Sequence, residues 1–225
     1  MKVIWKDEAP SLAMLATMFG LAAVTWSSAP ERIPIHWTFF GEPDRFGSRF
    51  AGLVGLPLIA AAVYLILLFL PRIDPRRGNY DAFRRPYAMI RTAVAGFLLA
   101  MEGFIQLWIR GQTASSRLFM PVVAGAVIML VGNYLPKLQS NWFVGIRTPW
   151  TLTSEESWRK THQLAAWLFV ASGAAIVVAS VLNPDRSRAV LFGTLMATLL
   201  STAIYSYFVW RNDPHRTSPT SRRPL

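Results

Sequence analysis

The chain has 225 residues, 53% of them hydrophobic, with 23 Lys and Arg against 12 Asp and Glu and no cysteine. Mean hydropathy is positive and the apolar residues fall into long uninterrupted stretches, which excludes an ordinary soluble domain; the missing thiols exclude disulfides and thiolate metal centres. The net charge of +11 would point to nucleic acid in a soluble protein, but here the cations sit in short segments between apolar stretches. Membrane topology explains them there, and no direct nucleic-acid binding is expected.

Six stretches are long enough to cross a bilayer core of about 30 Å: residues 9–26, 50–70, 88–109, 118–135, 164–182 and 189–210. Apolar residues surround each helix rather than lining one side, so the expected fold is an all-α integral membrane protein, a bundle of six transmembrane helices. The first stretch follows Lys2 and Lys6 and ends near small residues, but it exceeds the apolar core of about 7–15 residues typical of a cleaved signal. It is read as a retained span.

Residues 30–49 read PERIPIHWTFFGEPDRFGSR. Gly41, Pro43 and Gly47 enforce turns, and Trp37, Phe39, Phe40 and Phe46 suit the outer membrane interface. His36, Glu42 and Asp44 could together approach a divalent ion, yet they match no recognised ligand spacing. The loop is therefore read as a structural or recognition surface, with His36, Trp37, Glu42 and Asp44 as candidate ligand-recognition residues and neither metal nor cofactor expected.

The next connection, 71–85, carries Arg72, Arg76, Arg77, Arg84 and Arg85 with Asp74 and Asp81. This is the composition of a topogenic loop contacting anionic lipid headgroups. Within the third span, Arg91 lies near one end and is read as a snorkelling anchor. Glu102 is placed roughly 10 Å inside the opposite boundary at 1.5 Å per residue, and Gln106 lies one turn further along the same face. An intramembrane carboxylate is a functional-site candidate, its structural alternative being a hydrogen bond to a neighbouring helix.

Between the fourth and fifth spans, residues 133–162 read NYLPKLQSNWFVGIRTPWTLTSEESWRKTH, several times the usual connection of about 4–6 residues. Pro136 blocks helix continuation, while Gly145 and Pro149 read as turn residues. Thr153 or Ser154 is placed to cap a new helix whose first turn holds Glu155 and Glu156. Trp142, Trp150 and Trp158, interleaved with Lys137, Arg147, Arg159 and Lys160, suit an ordered segment at the membrane surface. Arg147 is expected to pair with Glu155 or Glu156 and to stack on Trp150.

In the later spans, Gly125, Gly132, Gly173 and neighbouring small residues permit close helix approach. The tail, 211–225, is rich in Pro, Ser, Thr and Arg and reads as disordered. Lys2 and Lys6, the five arginines of 71–85, the cations of 133–162, and Arg211, Arg216, Arg222 and Arg223 fall on one side of the bundle and clearly outnumber those on the other. Both termini are accordingly expected in the cytoplasm.

The motif GIRTPWT at 145–151, followed by Trp158 and the Thr161-His162 pair, resembles the signature of the SdpI family of bacterial integral membrane proteins. Its candidate residues here are Asn133, Pro136, Asn141, Gly145, Arg147, Thr148, Pro149, Trp150, Trp158, Thr161 and His162, serving structure or partner docking. The earlier IPIHW and GEPDRFGSR segments resemble a small domain of unknown function that often precedes this signature. The resemblance divides the chain into an N-terminal helix pair with its outer loop (1–70), a four-helix portion (71–210) and the tail.

The resemblance implies a multi-pass protein of the bacterial cytoplasmic membrane with no catalytic residues. It would protect the cell from a secreted, membrane-active peptide toxin, and could signal that toxin by holding a cytoplasmic transcriptional repressor at the membrane. Two other classes compete. A transporter or channel for ions or small solutes is supported by Glu102, Gln106 and the polar outer loop. A membrane enzyme is disfavoured, because His36 and His162 fall on opposite sides and no nucleophile and base come together.

Overall fold

The computed structural model describes residues 4–38, 42–112 and 115–216. In chain order the elements are α1 (Trp5–Thr25), β1 (Arg32–Trp37), β2 (Pro43–Ser48), α2 (Arg49–Leu53), α3 (Gly55–Ile73), a 3-10 turn (Arg77–Asp81), α4 (Arg84–Ile109), α5 (Ser116–Tyr134) with a 3-10 extension (Leu135–Lys137), α6 (Pro149–Thr153), α7 (Glu155–Leu182) and α8 (Pro184–Arg211). Among the described residues six helices, α1, α3, α4, α5, α7 and α8, are long and apolar enough to span a membrane. The protein is a multi-pass helical membrane protein, and large apolar side chains such as Trp167, Leu182, Phe192 and Ile204 remain exposed on its flanks, where lipid rather than water is the solvent.

Every span except α3 begins earlier than its apolar run, and the early starts of α1 and α7 bear on the site. Helix α1 starts at Trp5, which brings Glu8 inside it. Helix α7 starts at Glu155, where the Ser154 hydroxyl accepts the Ser157 N–H at 2.9 Å and Glu155 and Glu156 occupy the first turn. The cap satisfies a donor that would otherwise be orphaned, and the two carboxylates complement the helix dipole. Thr161 and His162 therefore lie on a helix rather than in a connection.

The segment read as an irregular outer loop forms an antiparallel hairpin, with Arg32 opposite Ser48, Ile33 opposite Gly47 and register shifts around His36. Ile33 is fully buried because α2 presents Gly52 beneath it. A Cβ at Gly52 would lie 2.4 Å from the Ile33 Cβ. Phe39 and Phe40 lie outside the described residues.

The helices pack through small residues. At the crossing of α5 and α7, a Cβ on Gly125 would meet the Gly173 carbonyl oxygen at 2.8 Å, and one on Gly173 would meet that of Gly125 at 2.5 Å. Backbones can approach this closely only where side chains are missing. Helix α8 joins α7 through the Ser172 and Thr198 hydroxyls at 3.1 Å, and α1 joins α4 through Ser11 and Thr92 at 3.2 Å.

Both ends of the described chain lie at one end of the bundle. There Asp7 pairs with Arg84 at 3.2 Å, and the Ser154 hydroxyl donates to Asp213 at 2.5 Å. That bond holds the Asp213 carboxyl below the usual carboxylate range. The expectation of disorder from 211 onward is thus corrected for residues 211–216: α8 runs to Arg211, and Arg216 lies over the Trp210 ring at 4.9 Å. Residues 217–225 lie outside the described residues.

Candidate functional site

The signature folds onto the end of the bundle around Asn141 and His162. Asn141 is fully buried. Its Oδ1 accepts the N–H groups of Phe143 at 3.0 Å and Val144 at 2.7 Å, while its amide donates to the carbonyls of Gln139 and Val144, each at 3.0 Å. One side chain therefore satisfies most of the backbone of a turn that has no ladder of its own. The chain then reverses at Gly145, which has φ +105°.

Immediately after it, the Ile146 N–H donates to His162 Nε2 at 3.0 Å. Accepting that bond needs a free lone pair on Nε2, so the imidazole proton resides on Nδ1, which donates to the Trp158 carbonyl at 2.8 Å. Trp158 stacks on His162 with ring centroids 4.1 Å apart and donates its indole N–H to the Leu138 carbonyl at 2.8 Å. Thr161 is buried beside them.

The motif's second half is a helix start. Thr148 caps α6, accepting the Thr151 N–H at 3.1 Å, and Thr151 accepts the Thr148 N–H at 2.9 Å in return. Pro149 occupies the first helical position, where its missing N–H is harmless, rather than a turn. Trp150 meets Tyr207 of α8 edge-on at 5.3 Å. Asn133 and Pro136 are exposed at the end of α5.

The arginine-rich connection docks on this fold instead of facing lipid alone. Asp74 is buried and accepts the N–H of Arg76 at 2.7 Å, the hydroxyl of Tyr80 at 2.9 Å and the N–H of Trp142 at 2.9 Å. Burial, then the Asp74 hydrogen bond, push the Tyr80 phenol well above its usual range. Arg76 donates to the Ser140 hydroxyl and to the Leu152 carbonyl at 2.6 Å, and the Asn79 amide donates to the Ser140 carbonyl at 2.7 Å. Beneath them Tyr80, Phe83, Tyr87 and Ile90 form one apolar cluster with Leu135, Leu138, Trp158 and Ala165.

Trp158 and Arg147 both depart from the contacts expected of them. Trp158 is no headgroup anchor, being 2% exposed, because its indole caps a carbonyl inside the fold. Arg147 donates to the Trp142 carbonyl at 2.8 Å, while Glu156 pairs with Arg159 at 2.7 Å and Lys160 at 3.0 Å. Those cations lie one helical turn from Glu156 and win it by proximity. An apolar cavity of about 500 Å³ opens between the loop and the helices, lined by Ile90, Val131, Gly145, Ile146, Phe169 and Leu199 among others.

At the opposite end the hairpin sits against α4. Trp37 meets Phe104 edge-on at 5.5 Å, and Phe46 lies 6.2 Å from Trp108. An apolar cavity of about 380 Å³ lies between them, walled by Ile35, Trp37, Ile59, Met101, Phe104 and Met120. On the exposed side His36 Nδ1 and Asp44 Oδ1 are 2.6 Å apart, and this hydrogen bond holds the Asp44 carboxyl below its usual range. Glu42 is drawn instead towards Arg117 at 3.8 Å, which also pairs with Asp185 at 3.1 Å. His36 and Asp44 are thus brought together, while Glu42 is turned towards a cation. Among the described residues no group of three His, Asp or Glu side chains is arranged to hold a metal ion.

Glu102 and Gln106 are buried in α4. The Gln106 amide donates to Glu102 Oε1 at 2.9 Å, whereas Glu102 Oε2 and Gln106 Oε1 have no hydrogen-bond partner among the described residues. The bond expected to a neighbouring helix is therefore replaced by one within the same helix, four residues along.

Comparison with known proteins agrees with both ends of this architecture. The SdpI/YfhL protein family model matches residues 137–207, and a domain of unknown function, DUF1648, matches residues 13–61. Residues 137–207 are thus similar to the SdpI/YfhL protein family. It is also similar to the Immunity protein SdpI of Bacillus subtilis (strain 168), with 21% identity over 206 residues, covering 92% of this chain and 97% of that protein. No solved structure matches it significantly.

The stretch that matches this family begins at Lys137 and takes in Asn141, Gly145, Trp158 and His162; the residues that anchor it from outside, Asp74, Arg76, Asn79 and Tyr80, escape a reading of the motif alone. So does Glu8. Arg91, read as a snorkelling anchor, is 1% exposed and paired with Glu8. Its Nε lies 3.3 Å from Glu8 Oε2, Tyr64 donates its hydroxyl to the same carboxylate at 3.1 Å, and the guanidinium carbon sits 4.6 Å over the Tyr87 ring. The signal was available in principle, since a cation inside a span requires a carboxylate at matching depth, and Glu8 stands near the same end of α1. Only the start of α1 at Trp5 brings it into the span.

Proposed function

We propose that this protein is an SdpI-type membrane immunity protein, protecting the cell that carries it from a secreted, membrane-active peptide toxin. In this reading it lies in the bacterial cytoplasmic membrane with both termini and the signature face in the cytoplasm. The similarity to an immunity protein along nearly the whole length of both chains supports it. The observation that carries it is the position of α4. This one helix of 26 residues, about 39 Å long at 1.5 Å per residue, bears Tyr87 in the cluster beneath the signature and Phe104 beneath the hairpin cavity.

An apolar peptide arriving from outside, or from within the bilayer, meets the hairpin cavity first. Trp37 and Phe104 offer aromatic contact area, His36, Glu42 and Asp44 offer polar contacts at the rim, and Glu102 with Gln106 lie within α4 on the same outer half. Movement of α4 then alters the packing under Asn141 and His162, where a cytoplasmic repressor docks. A toxin shifts the bundle only as far as it binds one state better than the other; full conversion from 1:99 to 99:1 takes about 10⁴-fold preference. No catalytic step is assigned.

The test is expression in a sensitive host challenged with SdpC-like toxins, comparing wild type with His36→Ala and Trp37→Ala at equal abundance. Protection by wild type that falls in both variants supports the reading. Absence of protection across a broad toxin panel sinks it. A second reading, translocation of an ion or small solute, draws on the charges buried inside spans at Glu8, Arg91 and Glu102. Solute or proton flux through proteoliposomes, absent from protein-free vesicles, would favour that alternative.

A further inference from the structure

A cleft of about 390 Å³ lies at the signature end, where the start of α1, the start of α4 and the 3-10 extension of α5 converge. Each element contributes one cation to it: Lys6, Arg85 and Lys137. All three side chains are exposed, and among the described residues no carboxylate lies within ion-pair distance of any of them. Asp7, the acidic residue of the cleft, is held by Arg84 at 3.2 Å. Lys137 Nζ sits 4.7 Å over the Tyr134 ring. Below the cations the walls turn apolar, with Pro10, Ala88 and Met89.

This arrangement differs from that of the neighbouring arginines. Arg76 is occupied by Ser140 and Leu152, Arg84 by Asp7 and Arg91 by Glu8. The three cleft cations come from elements far apart in sequence and line one cleft at the ends of three spans, beside an apolar wall. We propose that the cleft binds an acidic phospholipid, its phosphodiester between Lys6, Arg85 and Lys137 and its first methylenes against Pro10 and Met89. Such a lipid ties the end of α5 to α1 and α4, which Asp7 and Arg84 already join to each other. Each cation near the anionic surface favours such a headgroup by about fivefold in affinity.

The full chain, purified in a zwitterionic detergent and supplied with phosphatidylglycerol or cardiolipin, provides the test by native mass spectrometry and by the thermal unfolding midpoint. Wild type retains acidic lipid in preference to phosphatidylcholine, and its midpoint rises with acidic lipid but not with inorganic phosphate at equal phosphate concentration. The combined variant Lys6→Gln, Arg85→Gln, Lys137→Gln loses that preference, whereas Arg77→Gln, Arg159→Gln, Lys160→Gln, an equal change of charge elsewhere at this end, keeps it. Arg85→Gln alone lowers retention about fivefold, which preserves the measurement if the combined variant does not fold. Equal retention by both triple variants, or an equal response to inorganic phosphate, overturns the proposal.

Discussion

Gly145 and His162 are pressed together: a Cβ at Gly145 would lie 2.4 Å from His162 Nε2, the atom that accepts the Ile146 N–H. The glycine serves twice, since its φ of +105° is also a conformation that side chains resist. Gly145→Ala should therefore displace the imidazole and strain the turn, destabilising the fold by about 2–4 kcal/mol. Gly193→Ala, where nothing lies within 4 Å, should be neutral within about 0.5 kcal/mol. Thermal unfolding in detergent checks both, and equal midpoints for the two variants would remove His162 from the turn's requirements.

Asp74 ties the arginine-rich connection to the signature through Arg76, Tyr80 and Trp142. Asp74→Asn keeps the shape but replaces one acceptor oxygen by a donor facing donors. The expected loss is about 1–3 kcal/mol, and because the bonds lie at one end, it should appear first as faster proteolysis between 138 and 148. A protease pattern identical to wild type would contradict this anchoring role.

The Glu8 and Arg91 pair predicts asymmetry between single and double variants. Arg91→Leu leaves a buried carboxylate with only the Tyr64 hydroxyl and should cost about 3–5 kcal/mol. Adding Glu8→Gln should recover much of that loss, because removing both charges also removes their desolvation penalty. A double variant as unstable as the sum of the two singles would show that the charges act independently.

Glu102→Gln tests whether the carboxyl does more than fill space. The variant can still receive the Gln106 bond, so insertion and abundance should match wild type, while protection against toxin should fall. Unchanged protection would assign Glu102 to structure.

The chain has no native cysteine, so single-cysteine variants report orientation cleanly. Arg45→Cys, on the hairpin, should react with an impermeant thiol reagent in intact cells; Gln139→Cys, exposed in the signature, should react only after permeabilisation. Labelling of Gln139→Cys from outside would invert the proposed orientation.

The sequence by itself determined the six spans, because partitioning into lipid is a property of local composition and length, and no distant contact is needed to evaluate it. It also narrowed the cap of α7 to Thr153 or Ser154, of which the structure uses Ser154, and, through GIRTPWT with Trp158 and His162, it gave the location of the signature. Tertiary structure alone decided which polar groups meet. Glu8 and Arg91 are separated by 83 residues, and Asp74 reaches Trp142 across 68. Arg147 had acidic residues nearby in sequence yet settled on a backbone carbonyl, and Trp158 turned inward to satisfy another. In a site with little water every donor and acceptor must find a partner, and which partner is available depends on how the helices cross. That crossing is set by close contacts such as Gly125 on Gly173, which a linear reading shows only as small residues.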